Sequence, residues 1–399
     1  MHAVMILGGD GFCGWPTALH LSAKGYTVGI IDNLSRRRID KEMHAESLTP
    51  ISSIEERIAV WKNVTGKSIQ YYHIDIARDF DGFRHALKTF KPDAVVHFAE
   101  QRSAPYSMTN TTRKRYTVDN NIRGTHNLLA AVVDLNEDIH IVHLGTTGVY
   151  GYDGLEWEIP EGYLDVVVRG TDGREFERSI LFPTRPGSVY HLTKSMDQLI
   201  FQFYASNDEV RITDLHQGVV WGTQTHETRR DDALINRFDY DGDYGTVLNR
   251  FLMQAVVGHP LTVHGTGGQT RAFIHIEDTV RCIRLALENP PARGDRVKIF
   301  NQIAETHRVR DLAQMVAKIT GARIAYVDNP RKEAAENNLE VSNAAFRALG
   351  FDPILLNDRL FEETMEIVER FKSRYNPALV PARSLWTRKN RPGVVDEER

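Results

Sequence analysis

The sequence predicts an α/β fold in which a doubly wound parallel sheet is covered by helices on both faces. In the first half of the chain, strand-like apolar segments alternate with helix-length segments, a pattern typical of such sheets. The strand segments are 4–7, 27–31, 69–74, 94–98 and 139–144, and the helical segments include 12–24, 83–90 and 121–134. From about residue 223 short strands and helices mix irregularly, which predicts a smaller C-terminal α/β substrate-binding domain.

The domain boundaries follow from this change of pattern. We expect residues 1–222 to form a dinucleotide-binding domain, with a return segment near 260–290, and residues 223–375 to form most of the second domain. Residues 376–399 read as a polar C-terminal extension along the surface. Long connections at 35–67, 152–186 and 223–244 favour a covered active site.

Composition excludes several classes of function. The 399 residues carry a net charge of −4, so no nucleic acid or anionic membrane partner is expected. The two cysteines, Cys13 and Cys282, form no C-x-x-C pair, and no apolar run reaches the ~18 residues that span a bilayer. A strand pattern begins at once, leaving no room for a targeting peptide, so the cytoplasm is the expected location.

A glycine-rich turn follows the first strand and opens a helix. Gly8, Gly11 and Gly14 have the spacing that lets a backbone turn approach a pyrophosphate at a helix N-terminus. Phe12 and Cys13 lie within the turn. The pattern predicts a Rossmann-type dinucleotide-binding fold.

The end of the second strand supplies the expected ribose contact. Asp32, 21 residues after Gly11, can accept both ribose hydroxyls of NAD and would repel the 2′-phosphate of NADP, although Arg36 could offset that repulsion. Asn33 belongs to the same predicted site, and Asp75 and Ile76 are expected beside the adenine. NAD is therefore the predicted cofactor.

A phenol and an ammonium are predicted on one helix face. Tyr190 and Lys194 are four residues apart, and the lysine charge lowers a phenol pKa that is otherwise ~10. The tyrosine can then remove a hydroxyl proton while hydride leaves for NAD. Thr146, at the end of the fifth strand, can hydrogen-bond the reacting oxygen.

This combination resembles the extended short-chain dehydrogenase/reductase superfamily, many of whose members modify nucleotide sugars. Residues 121–125 match its helix signature, which implies that Asn121 lies near the nicotinamide. Longer segments, such as HFAEQRSAPYSM at 97–108, narrow the resemblance to the UDP-sulfoquinovose synthase family. The further matching segments are 8–15, 46–51, 217–222, 245–251, 258–263, 267–271 and 329–331.

The resemblance implies that UDP-glucose and sulfite are joined into UDP-6-sulfo-6-deoxyglucose, with NAD recycled through a 4-keto, 5,6-ene intermediate. It implies a homodimer and leaves open whether sulfite arrives free or from a partner protein. Arg102 is expected to guide sulfite, Gln217 and Val220 to lie by the cofactor, with Gln217 also near the sugar, and Ser188 to contact the sugar. The other expected substrate residues, mostly around uridine and diphosphate, are Thr246, Val247, Leu248, Asn249, Leu261, Thr262, Val263, Gln269, Arg271 and Arg331.

One segment departs from the related dehydratases, which carry an acid/base pair just after the threonine. Here Thr147, Gly148 and Val149 follow Thr146, and none of them is a carboxylate. Glu100, His191 and a substrate-bound water are the candidates for proton transfer at C5 and C6.

Alternatives to this prediction come from two classes. A UDP-hexose 4-epimerase or sugar 4,6-dehydratase would use the same fold, and a non-catalytic NAD-binding regulator could keep it for partner recognition. No metal is expected, because Trp61 disrupts the P-loop-like segment 61–68 and Tyr244 disrupts the calcium-loop-like segment 239–250.

Overall fold

The computed structural model describes residues 3–152, 154, 157–356, 358–384 and 386. Its strands, in chain order, are β1 (Ala3–Leu7), β2 (Thr27–Asp32), β3 (Ile69–His73), β4 (Ala94–His97), β5 (His140–Leu144), β6 (Tyr163–Arg169), β7 (Glu175–Leu181), β8 (Ile212–Gln217), β9 (Val219–Trp221), β10 (Leu261–His264), β11 (Thr270–His275), β12 (Lys298–Gln302), β13 (Glu305–Arg308) and β14 (Ile324–Val327). The helices are α1 (Gly14–Ala23), α2 (Ser35–Glu42), α3 (Ile54–Thr65), α4 (Phe80–Phe90), α5 (Ala104–Met108), α6 (Thr111–Leu135), α7 (Val189–Asn207), α8 (Val247–Val256), α9 (Ile276–Glu288), α10 (Val309–Thr320), α11 (Ala344–Ala348) and α12 (Asp358–Phe371).

The predicted α/β fold with a parallel sheet is confirmed. Seven strands form one sheet in the order β12-β8-β5-β4-β1-β2-β3, and each neighbouring pair is parallel. Separate apolar clusters cover its faces, one built around Trp15 and Leu19 of α1 and the other around Leu128 and Leu129 of α6. Burial on both faces explains why the central strands read as continuous apolar runs.

The strand order reverses between β1 and β4, and this reversal positions the site. After β3 the chain crosses back to β4 on the other side of β1, so the connections diverge and leave a crevice at the carboxyl ends of these strands. Gly8 follows β1 there, and Phe98 follows β4 and donates its N–H to the Leu7 carbonyl at 2.8 Å.

The chain returns to the main sheet later than the sequence pattern suggested. β12, residues Lys298–Gln302, pairs with β8 at the sheet edge, although its apolar pattern was grouped with the C-terminal domain. A short buried strand has the same sequence pattern in either sheet, so periodicity could not assign it. The segment 35–67, expected to be a long connection, contains helices α2 and α3.

The second part of the chain closes over the crevice. β10 and β14 form a parallel pair, and β13, β11 and β9 form a small mixed sheet. Helices α8, α10 and α12 share an apolar cluster with them. β6 and β7 form an antiparallel hairpin between the short 3-10 helix Thr147–Tyr150 and α7.

The segment after residue 375 is predicted to run along the surface, and residues 376–378, 381 and 383 are exposed, but Leu379, Val380, Ser384 and Trp386 are buried. Leu379 and Val380 are buried in an apolar cluster with Phe238 and Tyr240. The Leu379 carbonyl accepts the Gly242 N–H at 2.8 Å. The composition is polar overall, but this short apolar insert is enough to anchor the segment. Among the described residues no helix combines the length and apolarity needed to cross a membrane.

Candidate active site

One cavity extends from the carboxyl edge of the main sheet to the second part of the chain. Both parts of the fold contribute walls to it. The predicted site residues that line it are Gly8, Gly11, Phe12, Cys13, Gly14, Asp32, Asn33, Arg36, Asp75, Ile76, Arg102, Thr146, Tyr190, Lys194, Gln217, Val220, Thr246, Val247, Thr262, Gln269, Arg271 and Arg331. The fold thus places predicted residues from position 8 to position 331 around one cavity.

The glycine-rich turn forms a wall made of backbone. A Cβ atom at Gly14 would lie 2.1 Å from the Gly8 carbonyl oxygen, and one at Gly8 would lie 2.8 Å from the Phe98 carbonyl carbon. Gly8 also has a φ of +84°, which side-chain-bearing residues avoid. The turn is therefore closed tightly, and its glycines border the cavity at the N-terminus of α1, where backbone N–H groups favour an anion.

Asp10, which sequence reasoning passed over, anchors this turn. Arg37 Nε and Arg57 Nη1 donate to its carboxylate at 2.6 and 3.0 Å, and Arg57 is fully buried. The Asp10 N–H in turn donates to Asp32 Oδ2 at 2.9 Å. An acidic residue inside a glycine-rich turn was the available signal.

Asp32 faces the cavity at the end of β2. Its Oδ1 accepts the Leu34 N–H at 2.7 Å, so both oxygens are held by backbone donors and the carboxylate is fixed in place. Burial, and then the charge of Asp10, raise the pKa of Asp32 to about 6.

Arg36 lines the cavity but is already paired. It is bound to Asp40, donates to Asp239 Oδ1 at 3.1 Å, and stacks on the Tyr244 ring at 3.6 Å. The expectation that Arg36 could offset the repulsion of a 2′-phosphate is therefore corrected, because its charge is satisfied by two carboxylates.

The three predicted catalytic residues, Thr146, Tyr190 and Lys194, all reach the cavity. Lys194 Nζ donates to the Leu144 carbonyl at 2.7 Å and lies 2.8 Å from Glu100 Oε2. Burial raises the pKa of Tyr190 to about 12 in the protein alone, although Lys194 opposes the rise. Burial by itself would lower the pKa of Lys194, but Glu100 and Tyr190 raise it, so the ammonium stays charged.

The space after Thr146, where a carboxylate was missing, is filled by His191. A Cβ atom at Gly148 would lie 2.4 Å from the His191 ring, so the glycine makes room for the imidazole. Ser188 Oγ lies 2.9 Å from His191 Nδ1, and the Tyr152 hydroxyl lies 2.9 Å from Nε2. Burial, and then Arg331 and Arg271, lower the pKa of His191 to about 3, so the ring is neutral.

Two predicted residues, Asn121 and Ser188, support the site without lining the cavity. Asn121 is fully buried and binds the Gln101 backbone, accepting its N–H at 2.8 Å and donating to its carbonyl at 3.0 Å. Ser188 caps α7 by accepting the His191 N–H at 3.2 Å. Neither residue lines the cavity, which corrects the expectation that they contact cofactor or sugar directly. Asn121 instead supports Gln101, and Ser188 supports His191.

Four predicted substrate residues also lie outside the cavity lining. Leu248, Leu261 and Val263 are fully buried in the apolar cluster of the second part. Along β10 the side chains alternate, so Thr262 and His264 face the cavity while Leu261 and Val263 face the core. Asn249 holds the Gly222 backbone, accepting its N–H at 2.9 Å.

The arginines expected to contact anions meet carboxylates that the sequence had not suggested. Arg102 Nη2 donates to Asp239 Oδ2 at 2.6 Å, and Arg271 is ion-paired with Glu333. Asn329 Nδ2 donates to Glu333 Oε1 at 2.9 Å. These partners come from distant loops, so no local spacing could reveal them.

Comparison with known proteins decides the family. Residues 4–301 match the NAD dependent epimerase/dehydratase family. A UDP-sulfoquinovose synthase of Spinacia oleracea, named as chloroplastic, is 44% identical over 96% of this chain and 79% of its own length. The UDP-sulfoquinovose synthase of Sulfolobus acidocaldarius is 39% identical over 92% of this chain and 95% of its own length. This chain belongs to the UDP-sulfoquinovose synthase family.

Solved structures agree on the fold. A UDP-glucose 4-epimerase of Thermotoga maritima with UDP-glucose superposes with a TM-score of 0.68 at 21% identity, covering 93% of this chain and 99% of its own. A UDP-glucuronic acid 4-epimerase of Bacillus cereus, in complex with UDP-glucuronic acid and NAD, gives 0.66 at 21%, covering 94% of this chain and 100% of its own. The enzyme is thus NAD-dependent and has the Rossmann-type fold of this family.

Proposed function

We propose that this enzyme converts UDP-glucose and sulfite into UDP-sulfoquinovose. The observation that carries the proposal is its 44% and 39% identity, over more than nine-tenths of the chain, to two proteins named for that product. The cavity, which holds a Tyr–Lys pair and several cationic side chains, supports it.

The cofactor half of the cavity fits NAD. The glycine-rich turn packs so tightly that a Cβ at Gly14 would collide with the Gly8 carbonyl, its glycines line the cavity, and Asp32 offers a fixed carboxylate for ribose hydroxyls. Bound NAD would take a hydride from C4 of the sugar and later return it. The residues proposed to hold it are Gly8, Gly11, Phe12, Cys13, Gly14, Asp32, Asn33, Asp75, Ile76, Gln217 and Val220.

Tyr190 is the proposed proton carrier at O4. Its phenolate accepts the hydroxyl proton as C4 becomes a ketone, Lys194 stabilises that phenolate, and Thr146 hydrogen-bonds the same oxygen. The ketone acidifies the C5 proton, so water can leave from C5 and C6 and give a conjugated enone. Sulfite then adds at C6, a proton returns to C5, and Tyr190 returns its proton to O4. The sum is UDP-glucose plus bisulfite giving UDP-sulfoquinovose plus water.

His191 is the proposed acid/base for the elimination, in place of the missing carboxylate. Its ring is neutral, lines the cavity, and is oriented by Ser188 and Tyr152. The charges that depress its basicity belong partly to Arg331 and Arg271. Burial lowers the pKa of His191 most, and a bound UDP diphosphate would offset the further lowering that comes from the two arginines, so substrate binding would make the ring a stronger base.

Cationic side chains would hold the two anionic reactants. Arg271 and Arg331 are proposed to bind the diphosphate, with Thr246, Val247, Thr262 and Gln269 around the uridine. Arg102 is partly exposed to the cavity and one of its N–H groups already binds Asp239. Its remaining N–H groups can receive sulfite and then the sulfonate as charge-assisted hydrogen bonds.

We also propose that the enzyme is a homodimer that associates through α7. Leu192, Met196, Leu199 and Phe203 form an exposed apolar stripe along this helix, with Leu199 65% and Phe203 58% exposed. Residues at this spacing share one helix face, and apolar patches of this kind mark association sites.

The proposed reaction is tested by incubating the NAD-loaded enzyme with UDP-glucose and isotope-labelled sulfite and analysing products by mass. We expect a labelled, sulfonated nucleotide sugar, and none with Tyr190→Phe. Formation of UDP-galactose would identify a 4-epimerase instead. A 4-keto-6-deoxy sugar that accumulates without sulfite incorporation would identify a 4,6-dehydratase.

A further inference from the structure

A series of buried charged groups begins at Lys194 and runs into the sheet. We define the buried charge series as Lys194, Glu100, His143 and Asp214. Lys194 Nζ lies 2.8 Å from Glu100 Oε2, Glu100 Oε1 lies 3.1 Å from His143 Nε2, and His143 Nδ1 lies 2.7 Å from Asp214 Oδ1. All four side chains are at most 4% exposed.

The charges in this series depend on one another, and Lys194 Nζ also lies 3.0 Å from His143 Nε2. Burial opposes the charge on Glu100, but Lys194 and His143 outweigh it and hold the pKa of the carboxyl below its usual range. Burial and Lys194 oppose a charge on His143, yet Asp214 and Glu100 raise its pKa to about 9. Asp214 and Glu100 thus favour the charged form of His143, whereas Lys194 disfavours it. His216 Nε2 lies 3.1 Å from the other Asp214 oxygen.

Glu100 is turned toward this series and not toward a sugar. One oxygen meets His143 and accepts from Thr125 Oγ1 at 3.2 Å, and the other meets Lys194. A carboxylate with both oxygens engaged by charged groups is a poor base for a C5 proton. Glu100 is thus better understood through its effect on Lys194.

That effect reaches the catalytic phenol. Lys194 stabilises the phenolate of Tyr190, whereas Glu100 opposes it. A dehydrogenase that only removes a proton gains from an unopposed lysine. An enzyme that recycles its cofactor must also give the proton back, so a phenolate that is too stable would slow its last step.

We propose that Glu100 is a positioning residue that fixes the Lys194 ammonium and moderates its charge, so that Tyr190 can both accept the sugar hydroxyl proton and return it within one turnover. The benefit of returning the proton rests on the proposed function, whereas the electrostatic link does not. The charged and titratable groups facing Tyr190 are Lys194, Glu100, Arg102, Tyr152 and His191, and those facing Glu100 are Lys194, His143, His97 and Asp197.

The direct test is titration of Tyr190 in the NAD-loaded protein without substrate. Tyrosine labelled with carbon-13 at Cζ is followed by NMR, and the Tyr190 signal is the one that Tyr190→Phe removes. Glu100→Gln keeps the size of the side chain and removes its charge. We expect the Tyr190 midpoint to fall by about one pH unit, a tenfold change in acid dissociation.

A second variant reverses the sign. His143→Gln removes the imidazole that contacts both Glu100, at 3.1 Å, and Lys194, at 3.0 Å. Without the charged form of this ring, Glu100 opposes the phenolate more strongly and the Tyr190 midpoint should rise. Glu227→Gln is the matched control, because Glu227 is also buried and lies 3.2 Å from a histidine, His20, outside the series. It should leave the midpoint unchanged.

The outcomes distinguish failure of the positioning role from failure of the proposed function. Unchanged Tyr190 midpoints in both series variants, or shifts of the same sign, would overturn the positioning role. If wild-type enzyme made no sulfonated sugar while the midpoints shifted as expected, the proposed function would fail and the electrostatic link would stand. In an active enzyme, Glu100→Gln should also accumulate reduced cofactor during turnover, because return of the proton and hydride becomes slow.

Discussion

At the scale of single residues, Asp32 shows how local burial sets a binding preference. Burial and the charge of Asp10 disfavour its ionised form in the protein alone, and the two backbone N–H groups that donate to the carboxylate offset only part of this effect. Ribose hydroxyls donate to the ionised form and stabilise it. NAD binding and Asp32 ionisation are therefore linked.

This linkage predicts a pH dependence of NAD affinity. A carboxyl with a pKa of about 6 is ionised above that value, so affinity should be constant at higher pH. As pH falls below about 6 the protonated form predominates, and the dissociation constant should rise up to about tenfold per pH unit. Calorimetric titration with NAD from pH 5 to 8 measures this.

The control is Asp32→Asn, whose affinity for NAD should no longer depend on pH. At pH 8 it should bind NAD about tenfold more weakly, because the loss of one charged hydrogen bond costs ~1.5 kcal/mol or more. NADP should not replace NAD in this variant, because Arg36 is paired with Asp40 and Asp239. An affinity that increases on acidification would contradict the assignment of Asp32.

A substitution of His191 should separate two halves of the reaction, C4 oxidation on one side and C5 deprotonation with sulfite incorporation on the other. His191→Gln keeps a polar group but lacks a titratable ring. We expect C4 oxidation, seen as cofactor absorbance after mixing with UDP-glucose, to stay within about tenfold of the wild-type rate. Exchange of the C5 hydrogen with solvent deuterium and sulfite incorporation should fall by at least about a hundredfold, the usual worth of a general base.

Gly148→Ala is the matched variant, because its Cβ would collide with the His191 ring and displace it. It should impair the same half of the reaction while leaving residue 191 unchanged. Wild-type C5 exchange in His191→Gln would remove His191 from the mechanism and leave a substrate-bound water as the remaining candidate.

At the scale of elements, α7 serves two surfaces at once. Its inner face places Tyr190 and Lys194 in the cavity, and its outer face carries the apolar stripe. Because the helix is a single rigid element of 19 residues, packing on the outer face fixes the orientation of the inner one. Association and catalysis are therefore expected to be coupled.

Replacing Leu199 and Phe203 together with lysine should convert the proposed dimer into a monomer, because charge on the stripe cannot be buried against a second copy. Light scattering after gel filtration measures the mass. Val167→Lys on the β6–β7 hairpin is the control, since Val167 is equally exposed but lies elsewhere. A wild-type protein that is monomeric at micromolar concentration would rule out the α7 interface.

At the scale of the whole molecule, periodic and motif-bound signals predicted the parallel sheet and residues that the structure places along one cavity. The parallel sheet, the glycine-rich turn, Asp32 and the Tyr190–Lys194 pair each depend on residues close in sequence or on one strand. The ion pairs of Arg102 with Asp239 and of Arg271 with Glu333 span 137 and 62 residues, so local pattern could not reveal them. In strand β10 the match to related sequences covers Leu261, Thr262 and Val263 alike. It could not predict that only Thr262 faces the cavity while its two neighbours face the core.

The C-terminal segment is the largest difference from the prediction, and it has a functional consequence. Ala382 and Ser384 line the cavity, and Arg250 Nη2 donates to the Val380 carbonyl at 2.7 Å. The backbone N–H of Trp386 donates to the carbonyl of Pro330, the residue before Arg331, at 3.0 Å. The segment thus closes the proposed nucleotide end of the cavity and supports a diphosphate contact.

A chain that ends at Tyr375 should therefore bind UDP-glucose more weakly and unfold at a lower temperature than one that ends at Trp386, which keeps the described part of the segment. Losing buried Leu379 and Val380 exposes apolar surface worth ~1.5–3 kcal/mol per side chain. We expect KM for UDP-glucose to rise at least about tenfold, with kcat changed much less, because the described part of the segment hydrogen-bonds with Arg250 and Pro330 and not with the catalytic residues. Steady-state kinetics and thermal melts of both chains measure this. A loss confined to kcat, with KM unchanged, would show that the segment does not form part of the nucleotide site.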